Sequence, residues 1–153
     1  MFDETDRRIL GLLQADADMP IAEIAGQVGL SASPCWRRIK RMEEAGLISR
    51  RVVLVDRVIA KVPLTIFAGV RVPSHSVDWL ERFRRVIADI PEIVEAYRLA
   101  GEMDYLMRIV VPSIEIYDHV YKQLIAQLEF RDVTSSISME EMKFTTAVPL
   151  HYL

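Results

Sequence analysis

The sequence predicts an α+β chain built as an N-terminal three-helix, winged helix-turn-helix domain and a C-terminal ferredoxin-like β-α-β-β-α-β domain. Three observations carry that expectation. The first 48 residues hold three apolar stripes at helical spacing. The period then changes to runs rich in Val, Ile and aromatics, as strands require. Those runs alternate with two further helical patterns in the order strand, helix, strand, strand, helix, strand. The expected boundaries are 1–55 for the helical domain, 56–62 for a connection and 63–153 for the second domain.

Each element has its own signal. Asp3 or Thr5 caps a first helix whose apolar side is Ile9, Leu10, Leu12 and Leu13, ending near Asp16–Asp18. Pro20 suits the start of the second, with Ile21, Ile24, Ala25 and Val28 inward. Gly29 closes it as a left-handed terminal residue. Ser31 or Ser33 caps the third, Pro34 is tolerated in its first turn, and Cys35, Ile39 and Met42 point inward. Gly46 stops that helix, and Leu47-Ile48 return to the core. Arg50–Val58 and Thr65–Val72 read as strands. Ser74–Ala88 is helical through Val77, Leu80, Phe83 and Ile87, until Pro91. Ile93–Leu99 and Tyr105–Val111 form a hairpin about a tight loop at 100–104. Ser113 caps a fifth helix with Ile116, Val120, Leu124 and Leu128 inward, and Val133–Phe144 is the last strand.

Composition narrows the function classes. Hydrophobic residues make up 51% and charged residues 27%, an ordinary globular balance. No apolar run is long enough to span a membrane, and the start MFDETDRRIL lacks the order of a secretory signal. A cytoplasmic protein without a membrane partner is expected. One cysteine excludes an internal disulfide, and no Cys/His cluster has metal-ligand spacing, so neither metal nor cofactor is expected. Cys35, facing inward, reads as a small core hydrophobe. His75, His119 and His151 are scattered, and Glu140-Glu141 suits edge solvation, so no catalytic residue is expected.

The net charge of −3 argues at first against nucleic acid, but the charge is polarised. Within residues 31–51, Arg37, Arg38, Lys40, Arg41, Arg50 and Arg51 face only Glu43 and Glu44. On a helical wheel Ser33, Trp36, Arg37, Lys40, Arg41 and Glu44 lie opposite the Cys35/Ile39/Met42 stripe. Such a helix fits a DNA major groove. Arg37 or Arg41 would offer a fork to guanine and Lys40 would meet phosphate, with Ser31 capping and Arg50 and Arg51 reaching flanking phosphates. Arg38, at the stripe's edge, is placed equally well to pair with an acid of the first helix. The bland alternative for the whole face is a solvated surface with pairs such as Lys40–Glu44.

A second candidate lies at Gly101–Tyr105. Gly101 permits converging amide N–H groups that suit a carboxylate, Asp104 can offset an ammonium, and Thr134, Ser135 and Ser136 supply hydroxyls. An α-amino acid zwitterion needs those groups. The residues alone equally allow a plain hairpin with Asp104 capping its own turn.

The order of motifs resembles the Lrp/AsnC (feast/famine) regulators of bacteria and archaea along nearly the whole chain. The matching residues are Asp3-x-x-Asp6-Arg7-Arg8-Ile9-Leu10, Glu23-Ile24-Ala25, Val28-Gly29-Leu30-Ser31, Ser33-Pro34-Cys35, Arg38–Glu43 and Gly46-Leu47-Ile48. Gly101-Glu102-Met103-Asp104-Tyr105-Leu106 resembles that family's effector-loop signature, and Val133–Ser136 with Lys143–Leu150 resembles one subgroup. Where the family usually carries a glycine after the strand that follows the helices, this chain has Ile59-Ala60-Lys61. It also has Glu129-Phe130-Arg131-Asp132 in place of a frequent Pro-Gly. The resemblance implies a transcriptional regulator, not an enzyme, whose partners are double-stranded operator DNA and an amino-acid effector. A branched-chain or sulfur amino acid is favoured. It further implies a homodimer assembling to a higher oligomer, an octamer favoured with dimer and hexadecamer left open, and effector sites where dimers meet. The alternatives are a ligand-independent architectural DNA-binding protein and a small ferredoxin-like metabolic enzyme.

Overall fold

The computed structural model describes residues 2–153. They group into two compact units, one running to Leu54 and including Lys143–Leu153, the other spanning Val55–Met142.

The first unit is three helices around one apolar cluster. Helix α1 (Glu4–Ala15) starts in a capping box: the Asp3 carboxylate accepts the Asp6 N–H, and the Asp6 carboxylate accepts the Asp3 N–H. Helix α2 (Ile21–Val28) follows Pro20, whose carbonyl accepts from Glu23 and Ile24, and it ends at Gly29 with φ 74°. Leu30 N–H then closes back onto the Ala25 carbonyl at 2.9 Å, the hydrogen bond that a left-handed glycine stop permits. Helix α3 (Ala32–Glu44) stops before Gly46, also at φ 74°. Ser31 occupies the N-cap position, yet its hydroxyl makes no capping bond, and only its carbonyl is used, by Cys35 N–H. The core is Ile9, Leu10, Ile24, Ala25, Val28, Cys35, Ile39 and Met42. Each large aliphatic among them contributes about 1.5–3 kcal/mol by leaving water.

The C-terminal residues complete this unit. The Gln14 side chain bonds both the N–H and the carbonyl of Val148, at 2.7 and 3.2 Å. Leu150, in a 3-10 turn at Leu150–Tyr152, packs against the helical core, and Arg7 donates to the Leu153 carbonyl. The second compact unit therefore does not run to residue 153 as expected. An apolar Leu150 finds its burial on the helices, and the tail follows it.

The second unit contains β1 (Leu64–Arg71), α4 (Val77–Ala88), β2 (Ile93–Arg98), β3 (Tyr105–Val111), α5 (Ile114–Gln127) and β4 (Asp132–Ile137). The four strands pair antiparallel in the order β2-β3-β1-β4, the ferredoxin-like arrangement. Alternation along each strand decides the faces. Ile66, Ala68, Val70, Met107, Ile109 and Val111 pack with Phe83 and Val86 of α4 and Val120 and Leu124 of α5. Phe67, Gly69, Arg71, Leu106 and Arg108 point to the opposite, uncovered face. Trp79, Phe83 and Tyr105 stack at one end of the core, with ring centroids 4.9–5.3 Å apart.

Two expected strands are corrected. Arg50–Val58 is not a strand: residues 50–56 have no ladder partner, and Val53 is 90% exposed. β-Branched residues supply propensity, but a strand exists only where another strand accepts its hydrogen bonds. The expected strand Val133–Phe144 stops at Ile137; Ser138 N–H still donates to the Thr65 carbonyl of β1 at 2.9 Å, and the pairing then ends as β1 itself begins at Leu64. In the connection, Asp56 Oδ1 accepts the N–H groups of Val58 and Ile59, and the turn closes through Lys61 at φ 63°. That left-handed backbone falls within Ile59-Ala60-Lys61, the stretch that stands where the resembled family usually carries a glycine. The expected hairpin loop at 100–104 begins one residue earlier, since β2 ends at Arg98.

Candidate DNA and effector sites

Helix α3 presents Ser33, Arg37, Lys40 and Glu44 on an exposed face, and Trp36 is 47% exposed beside them. The buried stripe opposite, Cys35, Ile39 and Met42, fixes which way that face points. Burial also pushes the Cys35 thiol up, so it stays protonated and inert inside the core.

The basic residues are not equivalent. Arg38 Nη1 bonds Asp3 Oδ2 at 2.8 Å and Asp6 Oδ1 at 2.9 Å. Arg41 Nη2 bonds Asp6 Oδ2 at 2.5 Å and lies over the Phe2 ring. Asp6 is fully buried, whereas the Arg38 and Arg41 side chains remain 28% and 51% exposed. The Asp6 N–H and then Arg38 hold the Asp3 carboxyl below its usual range. Lys40 pairs with Glu43 at 2.6 Å rather than with Glu44, and that pairing holds the Glu43 carboxyl low. Arg51 donates to the Ala17 carbonyl and also reaches Glu43. Among the described residues, Arg37 and Arg50 have no acidic partner. The residue pattern placed all of these cations on one surface and allowed Arg38 an acid of the first helix; it did not reveal that Asp6 of α1 also holds Arg41.

The second set of residues divides between the two faces of the sheet. In the loop after β2, Gly101 has φ 151° and is exposed. Glu102 is engaged by Arg71, which donates to its carbonyl and to its carboxylate, both at 2.8 Å. The Asp104 carboxylate is spent on the Val72 N–H at 2.8 Å and faces His75 at 3.4 Å, so it caps the end of β1 rather than its own turn. Met103 lies over Gly69: a Cβ built there would stand 2.0 Å from the Met103 sulfur. Opposite Gly69 on β4 is Thr134, and opposite Phe67 is Ser136, so both belong to the uncovered face with Met103. Ser135, paired with Ala68, faces the helices and bonds Tyr117. Tyr105 is likewise buried in the aromatic core. The structure thus brings Met103, Thr134 and Ser136 to one face beside the Gly101–Glu102 loop and removes Ser135 and Tyr105 from it. Arg71, Phe67 and the pair Arg108–Glu95, at 2.5 Å, are the neighbours that motif reading missed. Strand alternation was the signal that could have sorted them.

A helix-turn-helix unit with an exposed basic helix, joined to a ferredoxin-like unit, defines the class of DNA-binding regulators that carry their own sensor. Residues 2–49 match the family described as winged helix-turn-helix DNA-binding, and residues 65–148 match the Lrp/AsnC ligand binding domain. The HTH-type transcriptional regulator Zrp of Zymomonas mobilis is 44% identical, with all of both chains covered. The crystal structure of an AsnC family transcriptional regulator from Agrobacterium tumefaciens superposes with a TM-score of 0.96 at 50% identity, over 99% of each chain. A Neisseria meningitidis transcriptional regulator, solved as a complex with L-Met, gives 0.94 at 31% identity, again over 99% of each. The chain belongs to the Lrp/AsnC family of transcriptional regulators and is not an enzyme.

Proposed function

We propose that this chain is a cytoplasmic regulator of amino-acid metabolism genes, binding operator DNA through α3 and an α-amino acid through the loop after β2. The observation that carries the DNA half is the exposed Trp36/Arg37 face of α3, held outward by a fully buried opposite stripe. Arg37 suits guanine O6 and N7, while Ser31 (its hydroxyl unspent on capping), Ser33, Lys40 and Arg50 suit phosphate and sugar. Exposed pairs such as Lys40–Glu43 exchange readily, because they contribute only about 0–1 kcal/mol.

A homodimer fits this reading. One recognition helix makes too few contacts for operator affinity, and a two-fold pair reads two half-sites. The unpaired extended residues Val52–Val55 and the uncovered sheet face with Phe67 and Tyr97 offer surface for a second copy, and higher assembly to an octamer follows the same logic. Met103, Thr134 and Ser136 lie on that sheet face, so a partner subunit would help enclose the amino acid. The L-Met bound by the Neisseria relative favours an apolar side chain beside Met103.

Fluorescence anisotropy on the chain's own upstream DNA, titrated with salt and with each amino acid, tests both halves. Competitor-resistant binding that one amino acid shifts is the expected result. Salt-sensitive binding without sequence preference or effector response would replace it with the architectural reading.

A further inference from the structure

Helix α3 carries its cations in two conditions. Arg37 has no acidic partner among the described residues, and Lys40 shares an exposed pair. Arg38 and Arg41 are instead clamped by one carboxylate that water does not reach: Asp6 Oδ1 takes Arg38, and Oδ2 takes both Arg41 and the Asp3 N–H. Phe2 stacks on Arg41 and Asp3 adds a second bond to Arg38. An exposed pair gives up its cation to phosphate at little cost. A fully buried carboxylate does not, because losing its guanidinium leaves an unsatisfied charge in a dry site.

We propose that Asp6 is a positioning residue for DNA recognition: it withholds Arg38 and Arg41 from the phosphate backbone, leaving base reading to the Trp36/Arg37 side of α3. The proposal rests on the reading that α3 enters the groove. Its consequence is electrostatic. Each cation that meets phosphate steepens the dependence of log K on log salt by about 0.9 and strengthens binding to every sequence alike. Withholding two of them keeps sequence-independent affinity low, so that contacts to base edges dominate the difference between operator and random DNA.

The test measures anisotropy of the full chain on its upstream DNA and on a random duplex of equal length across a salt series. Asp6→Asn should steepen the slope by about 0.9 for each cation released and narrow the operator-to-random ratio. Arg41→Gln in the wild-type background should leave the slope unchanged, and in the Asp6→Asn background should reverse Arg41's share of the gain, about 0.9. Arg37→Gln should cost about tenfold in that ratio. A merely stabilising Asp6 would alter the folded fraction without altering the salt slope. Arg41→Gln in the wild type does not depend on whether Asp6→Asn folds. If it flattens the slope by about 0.9, Arg41 already meets phosphate and the proposal is overturned. Unchanged slopes in Asp6→Asn overturn it as well, while operator binding by the wild type survives. A wild type that binds no DNA would instead remove the groove reading on which it rests.

Discussion

Each unit of this chain has an arginine–carboxylate arrangement beside the surface proposed to do its work, and the two are built differently. In the helical unit, Asp6 sits at no solvent exposure and ties α1 to α3 through Arg38 and Arg41, residues far apart in sequence. In the sheet unit, Glu95 and Arg108 face each other across adjacent strands, 38% and 21% exposed. A buried acid shared by two guanidiniums fixes the geometry of what it holds. A half-exposed cross-strand pair leaves its face adaptable and open to another surface. The first suits the reading head proposed for α3, and the second suits the partner and ligand face proposed for the sheet.

The largest difference should appear on deleting each acid. Asp6→Ala removes the cap on the Asp3 N–H and leaves two guanidiniums to resolvate, lowering the stability of the helical unit by about 2–3 kcal/mol. Glu95→Ala should cost below about 1 kcal/mol, as exposed pairs do. Denaturant unfolding of the two variants checks the contrast, and equal losses would break it.

Next in size is Gly69→Ala. The new methyl would occupy the space of the Met103 sulfur, and Met103, flexible and 38% exposed, must swing away at about 1 kcal/mol or less. Combining it with Met103→Ala should recover most of that loss in thermal unfolding. The same displacement should weaken amino-acid binding if Met103 lines the site.

How much of this was legible follows from which rules are local. Caps and stops at Asp3, Gly29, Gly46 and Ser113 depend on neighbouring residues, and the sequence places those four helix ends correctly. The Val52–Val55 run misleads because propensity says nothing about whether a ladder partner exists. Tyr105 and Ser135 sit in motifs whose strand parity, once applied, turns them toward the core. Asp104 looked available for a ligand, but its partner Val72 is set by tertiary pairing. The Asp6 cluster was partly visible, since Arg38 sits at the edge of the α3 stripe. Arg41 on the outer face gave no such sign. The tail's return to α1 rests on Leu150 and Gln14, which no local pattern connects.

Truncating Lys143–Leu153 should therefore lower the stability of the helical unit by about 1 kcal/mol, through the lost Leu150 burial and the two Gln14 bonds. Lys61→Gly should act in the opposite sense, adding about 0.5 kcal/mol by relieving the left-handed backbone. The smallest effect is acid sensitivity. Arg108 first, and then Tyr97, hold the Glu95 carboxyl low, as the Asp6 N–H and Arg38 hold Asp3. A depressed carboxyl adds stability above its unfolded value, 4.5 for Glu95 and 3.8 for Asp3, and loses it as pH falls through the folded value. Thermal midpoints should show no pH dependence from these groups above pH 4.5, where their stabilisation is fully present, and a decline below it in wild type, blunted in Glu95→Gln.

Hydrogen–deuterium exchange of the full chain, alone, with operator DNA and with the bound amino acid, tests the division of labour most directly. The account predicts that DNA protects amides of Ser31–Arg41, and that the amino acid protects Leu99–Asp104 and Thr134–Ser136. Protection of the sheet face by DNA, with α3 unchanged, would contradict it.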